Sequence, residues 1–210
     1  MTTTESAGTT AGPRLTAAGK RTRDRIVGAA AGLMFRKGVA GTTIPEVQQA
    51  AKVSASQVYH YFADKNDLVR AVIEHQIENT LEVQRPLLDH LDSFGALRAW
   101  AAAAVAAQES RSCAGGCEIG SLASELAETD ETMRADLVAA FERWERPIRD
   151  GLRRMRDNGI LRPEADVEEL AAAMLAAIQG GLLLAQVRRT PAPFKAATDA
   201  AIGYIETFAA

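Results

Sequence analysis

Apolar residues return every three or four positions along most of the chain and almost nowhere alternate, so the pattern predicts a succession of helices. Ile26, Ala29, Ala30, Leu33 and Met34 mark a first helix over about 22–37, stopped by Gly38 after Arg36 and Lys37. Thr43 ahead of Ile44-Pro45-Glu46 sets a hydroxyl cap, a first-turn proline and a first-turn acid in the order a helix start prefers, and this second helix ends near Ala51. Ser54 caps a third over 55–61, and Asp64 caps a fourth running from Lys65 towards Glu82, with Leu68, Val72 and Ile73 facing inwards. A fifth over 94–108 carries Leu97, Trp100, Ala101, Ala104 and Val105 on one stripe, and a sixth is expected over 119–127. The seventh, 131–158, carries Leu137, Phe141, Trp144, Ile148, Leu152 and Met155 and is expected to kink at Pro147. Asp166 caps an eighth over 167–189, and Pro193 opens a ninth that ends near Phe208. The predicted fold class is all-α, with about nine helices.

The two short helices joined by Lys52-Val53-Ser54 form a helix-turn-helix signature. They divide the chain into a disordered arm over 1–19, rich in Thr, Ser, Gly and Ala, a three-helix domain over 20–64, and a larger helical domain over 65–210.

Composition narrows the class. With 47% hydrophobic and 24% charged residues in 210, the chain reads as an ordinary globular protein. Two cysteines make no disulfide framework, and nothing near Met1 has the charged-then-apolar layout of a secretory signal, so a cytoplasmic location is expected. The uncharged run Leu170 to Val187 holds two Gln, two Gly and many Ala, which favours a buried helix over a membrane span. Net charge is −3, yet residues 1–70 carry +5 and 71–210 carry −8, a segregation expected when one end of a protein meets a polyanion.

The segment TTIPEVQQAAKVSASQVYHYFADKNDLVRAV, Thr42 to Val72, resembles the DNA-binding domain of the TetR family of bacterial transcriptional regulators. The likeness spans roughly residues 20–73, and Val53-Ser54, Val58-Tyr59-His60-Tyr61-Phe62 and Lys65 are its most diagnostic part. It implies an all-helical homodimer with a small DNA-binding domain and a larger ligand-binding and dimerisation domain. One departure is Lys52, at a turn position the family often fills with Gly.

The residues support a DNA-reading role independently. Val58 and Phe62, four apart, supply a packed face, leaving Ala55, Ser56, Gln57, Tyr59 and His60 towards a groove after the cap Ser54. The Gln57 amide suits adenine N6/N7, Ser56 suits several bases, and Ala55 suits a thymine methyl. By the resemblance, Thr43, Tyr59 and Lys65 contact phosphates. Lys20, Arg21, Arg23 and Arg25 are within reach of phosphates or the flanking minor groove.

In the larger domain, Trp100, Phe141, Trp144, Met174 and Ile178 are candidate walls of a pocket for a small, largely apolar or aromatic effector, with Gln108 and Gln179 as polar anchors. Plain core packing is the competing reading of each. By the resemblance the last two helices dimerise: Ala173, Ala177, Gly180, Gly181 and Ala185 permit close approach, and Phe194, Ala201, Ile202 and Ile205 form an apolar stripe that also suits an intrachain core. The stretch CAGGCEIGS, Cys113 to Ser121, holds both cysteines. It is similar to a segment in a TetR subgroup with electrophile-responsive members, so Cys117 is either a pocket-side cysteine or a thiol sensor. The cysteine spacing and the positions of His60, His75 and His90 do not form a metal set, and a disulfide between Cys113 and Cys117 is sterically open. No phosphate loop or catalytic triad is present in the pattern, so neither an enzyme nor a cofactor is expected. The expected function is a ligand-responsive repressor that binds double-stranded operator DNA as a homodimer.

Overall fold

A computed structural model describes residues 15–210, and among these it has nine helices and no strand. They are α1 (Ala17–Lys37), α2 (Ile44–Ala51), α3 (Ala55–Tyr61), α4 (Lys65–Leu88), α5 (Phe94–Ser110), α6 (Glu118–Leu126), α7 (Glu131–Asp157), α8 (Val167–Arg188) and α9 (Ala192–Glu206). The arm expected over 1–19 lies, for residues 1–14, outside the described residues. Beyond them α1 begins at Ala17, five residues before the expected start, because Thr16 accepts a hydrogen bond from the Gly19 amide and caps it. α4 continues past the expected Glu82 to Leu88 and takes Pro86 into its last turn. α7 runs unbroken through Pro147.

α1, α2 and α3 close over Ile26, Ala30, Val47, Val58 and Phe62, each no more than 2% exposed. α4 packs on α1 at one end and on α5, α6 and α7 further along, so a single helix belongs to both cores. The larger core is built from Leu97, Ile119, Ile148, Leu152, Leu170 and Met174, all fully buried or nearly so. α8 packs between α7 and α9. By length and composition alone it could cross a membrane, an 18-residue window having a mean hydropathy of 1.8, but Leu170, Met174, Ile178 and Leu182 pack it into the core as the buried helix expected.

The stripe Phe194, Ala201, Ile202 and Ile205 of α9 is buried within its own chain, as are Gly181 and Ala185 of α8. Those positions belong to the intrachain core. The exposed faces lie a quarter-turn away: Ala172, Ala176, Gly180, Leu183, Leu184 and Val187 on α8, and Ala196, Ala200, Gly203 and Tyr204 on α9.

One tight approach fixes how α7 meets the α4–α5 turn. A Cβ on Gly151 would lie 2.1 Å from the Leu91 carbonyl oxygen, a rigid backbone atom. Gly151→Ala is therefore expected to destabilise the fold by about 1–3 kcal/mol in urea unfolding, as overpacked cores do. An unchanged midpoint would show that the two backbones do not touch in solution.

Candidate functional site

α2 and α3 meet through Lys52, which adopts a left-handed conformation (φ 53°, ψ 53°) where a Cβ is disfavoured. The turn is held by Lys52 N–H and Val53 N–H donating to Gln49 and Gln48 carbonyls at 3.3 and 3.1 Å. Both short helices carry a complete capping box. Thr43 accepts from the Glu46 amide, and the Glu46 carboxylate accepts from the Thr43 amide at 3.0 Å. Ser54 accepts from the Gln57 amide, and Gln57 Oε1 accepts from the Ser54 amide at 3.0 Å.

These caps change the reading of two expected contacts. Gln57 is exposed, but its Oε1 is committed to the cap of its own helix; bidentate pairing with adenine requires giving up that bond. The Thr43 hydroxyl donates to Glu46 at 3.0 Å, so a phosphate competes with that carboxylate. Ser54, Ala55, Ser56, Tyr59 and His60 are exposed along the free side of α3, opposite Val58 at 1%. Lys65 is half-buried, and its Nζ donates to the Val39 carbonyl at 2.6 Å. Among the basic residues of α1, Arg25 donates to the Ala51 carbonyl at 2.8 Å and Arg23 stacks over the Phe62 ring, which gives both a packing role; Lys20 and Arg21 are exposed.

The second feature is a cavity of about 430 Å³ in the larger domain. Trp100, Gln108, Cys117, Trp144 and Ile178 line it. Phe141 is half-buried away from the wall, Met174 is sealed in the core at 0% exposure, and Gln179 sits behind Gly120. Inward helical spacing selects residues that face the interior, and it does not separate core from cavity wall. The wall that sequence reasoning missed is α4, through Gln76, Asn79, Thr80, Val83 and Gln84. Its signal was a polar stripe at helical spacing in a stretch that otherwise packs inwards.

Both cysteines are free thiols. Cys117 caps α6, its Sγ accepting from the Gly120 amide at 3.3 Å, and burial pushes its thiol pKa up. That keeps the thiol protonated, so a helix N-terminus does not make it a reactive thiolate here. Among the described residues no group of three or more His, Cys, Asp or Glu side chains is placed to hold a metal.

Residues 26–72 match the family described as bacterial regulatory proteins, tetR family, and residues 94–201, just over half of the chain, match the tetracyclin repressor-like C-terminal domain. The chain belongs to the TetR family of transcriptional regulators. It is similar to the transcriptional regulator AcuR of Cereibacter sphaeroides, 27% identical over 79% of this chain and 76% of that one. It is also similar to the transcriptional repressor DhaR of a Mycobacterium species, 23% identical over 81% of this chain and 85% of that one. A TetR transcriptional regulator structure from Chloroflexus aurantiacus superposes with a TM-score of 0.74 at 26% identity, covering 92% of this chain and 98% of that chain.

In this TetR-family chain a carboxylate joins the two domains. Glu125 of α6 accepts from the Val39 and Ala40 amides, in the loop between α1 and α2, at 2.8 and 2.7 Å. The Val39 carbonyl in turn holds Lys65, the first residue of α4. The α5–α6 loop adds a second link: a Cβ on Gly115 would lie 2.3 Å from the Phe35 ring of α1, at a φ of +91° that itself favours glycine.

At the start of α2, the Glu46 carboxylate pairs with Lys37 and with the Thr43 amide, which lowers its pKa from 4.5 to about 2. A depressed carboxylate stabilises the fold above its unfolded value and loses that contribution as pH falls through its folded value. The stability difference between wild type and Glu46→Gln is therefore expected to hold steady above pH 4.5 and to shrink towards pH 2 in pH-dependent urea unfolding. A difference independent of pH across that window would mean that the carboxylate is not held in this pair.

Proposed function

We propose that this TetR-family regulator is a cytoplasmic, homodimeric repressor that binds double-stranded operator DNA and is released by a small, uncharged, largely apolar or aromatic effector in the α4–α8 cavity. The observation that carries it is the exposed edge of α3, Ala55, Ser56, Gln57, Tyr59 and His60, on a helix whose other side is locked by Val58 and Phe62. Such a helix lies in the major groove with its N-terminal residues at base edges. Gln57 reads adenine by exchanging its cap bond for base contacts, Ser56 and Ala55 lie beside it, and Thr43, Tyr59 and Lys65 hold phosphates. The repressor direction follows the DhaR relative, which is a transcriptional repressor.

Dimerisation is supported by the exposed small and apolar face of α8 and α9, where Leu183, Leu184 and Val187 are 59%, 46% and 72% exposed. A two-fold pair places the two α3 helices in half-sites about 34–36 Å apart. Two routes connect the cavity to that spacing: α4, which forms one cavity wall and begins just after α3, and α6, which holds the α1–α2 loop through Glu125. A ligand that favours the DNA-incompetent spacing lowers operator affinity tenfold for each ~1.4 kcal/mol of preference. Half-buried Cys117, whose thiol pKa is pushed up by desolvation, suits a cavity-wall role better than a thiol sensor.

Fluorescence anisotropy on a duplex from the upstream intergenic region tests this reading. Binding is expected to fall steeply with salt and to exceed that of a scrambled duplex by at least about a thousandfold. Gln57→Glu keeps an acceptor for the Ser54 amide but removes the amide donor, and is expected to cut the operator-to-scrambled ratio by roughly 5- to 100-fold. Tyr59→Phe is expected to weaken both duplexes alike. Equal affinity of wild type for both duplexes would overturn the operator reading, and an unchanged ratio in Gln57→Glu would remove Gln57 from base reading.

A further inference from the structure

The cavity is chemically two-sided. One wall is apolar and aromatic, formed by Trp100, Trp144, Ile178, Leu182 and Phe194. The other carries neutral amides: Gln76 and Gln84 on α4, at helical spacing, and Gln108 on α5. Gln108 is only 7% exposed, and among the described residues no hydrogen bond involves its side-chain amide or that of Gln76. Gln84 accepts from Trp100 Nε1 at 3.0 Å, which orients its remaining NH₂ group. Trp144 adds a buried Nε1–H without an acceptor. Of these groups the Trp144 Nε1–H is buried without a partner, which costs roughly 1–3 kcal/mol that a ligand acceptor removes, while the Gln76 and Gln108 amides are open to the cavity and free to bond a ligand.

Charge is the second constraint. The ionic side chains on the wall are Arg111 and Glu118, and they pair with each other at 3.5 Å. The pair is part-exposed and weak, but its two charges cancel, so the wall offers a carboxylate or ammonium ligand no net charge of the opposite sign.

We propose that the cavity selects an uncharged, flat, amphipathic aromatic molecule, whose hydrogen-bonding edge is read by Gln76, Gln84 and Gln108 and whose ring is held against Trp100, Trp144 and Phe194. This deepens the effector reading above and rests on the cavity being the effector site. It differs from a purely apolar ligand because specificity lies in the amide wall, and two of the three amides belong to α4, the helix shared with the DNA-reading domain. The hydrogen bonds that select the ligand thus also bear on the element that moves the reader.

Three probes of one size separate the chemistries in calorimetric titrations: 2-naphthol, neutral with a hydroxyl; naphthalene, with no polar group; and 2-naphthoate, anionic. 2-Naphthol is expected to bind about tenfold more tightly than either of the others, the worth of one to two neutral hydrogen bonds. Gln108→Leu is expected to bring 2-naphthol within about threefold of naphthalene while leaving naphthalene affinity unchanged or improved. Should that variant fail to fold, as judged by circular dichroism, Gln76→Leu on the half-buried face of α4 carries the same comparison. Tighter binding of 2-naphthoate, an unchanged naphthol preference in the variant, or no binding of any probe at roughly 1 mM overturns the proposal. If 2-naphthol binds with the expected preference and leaves operator anisotropy unaltered, the ligand chemistry stands and the effector reading of the cavity fails.

Discussion

The Glu125 carboxylate, shared between the Val39 and Ala40 amides, is the interaction on which the rest of this molecule's organisation turns. It is a charge-assisted pair of bonds between elements more than eighty residues apart, one in the regulatory domain and the other in the loop that orients α2. The same peptide groups continue the chain of contacts, because the Val39 carbonyl holds Lys65 at the foot of α4. α6, the α1–α2 loop and the foot of α4 are therefore joined in two bonded steps. Packing alone gives a diffuse contact; a carboxylate on two amides is either made or broken, which suits a two-state switch.

The segment feeding α6 has the geometry to move it. Ser112, Cys113, Gly115 and Gly116 all have positive φ, an arrangement that extended or helical backbone does not tolerate. This loop touches Phe35 of α1 and Gln186 of α8 at distances that exclude a Cβ, and Gly116 and Cys117 line the cavity. The start of α6 is thus part of the cavity wall. On the opposite wall α4 carries the neutral amides, and Arg70 to Asp136, together with Arg143 to Glu74 and Glu78, ties α4 to α7 across the outer face. These ion pairs are exposed and individually weak, so they set alignment more than stability.

Much of this was legible in the chain. Hydroxyl and acidic caps at Thr43, Ser54, Asp64 and Asp166 mark helix starts because their side chains satisfy local amides, a constraint that needs no tertiary information. Helix ends were less legible: α4 outruns its expected stop because Leu88 and Leu91 are buried against neighbours the local pattern does not reveal. The exposed edge of α3 was readable from the Val58 and Phe62 spacing. The commitment of Gln57 to its own cap was implicit in Ser54 and Gln57 standing three apart, a capping-box spacing that competes with base reading. Cavity residues divided. Trp100, Gln108, Cys117, Trp144 and Ile178 lie on the wall, whereas Phe141 and Met174 do not, because a void is a property of how helices are spaced and leaves no periodic trace. The α9 stripe illustrates the same limit, since an apolar face fits a partner's helix or its own chain equally well until the packing is known.

The most direct test of this organisation follows the two amides that Glu125 holds. Hydrogen exchange at Val39 and Ala40, resolved by NMR in the free protein and in the presence of a ligand that releases operator DNA, reads the latch itself. Exchange at both amides is expected to accelerate by at least about tenfold when ligand releases the DNA, with the helical core of α7 unchanged. Release of operator with Val39 and Ala40 protected as before would contradict the account, and place the coupling elsewhere in the molecule.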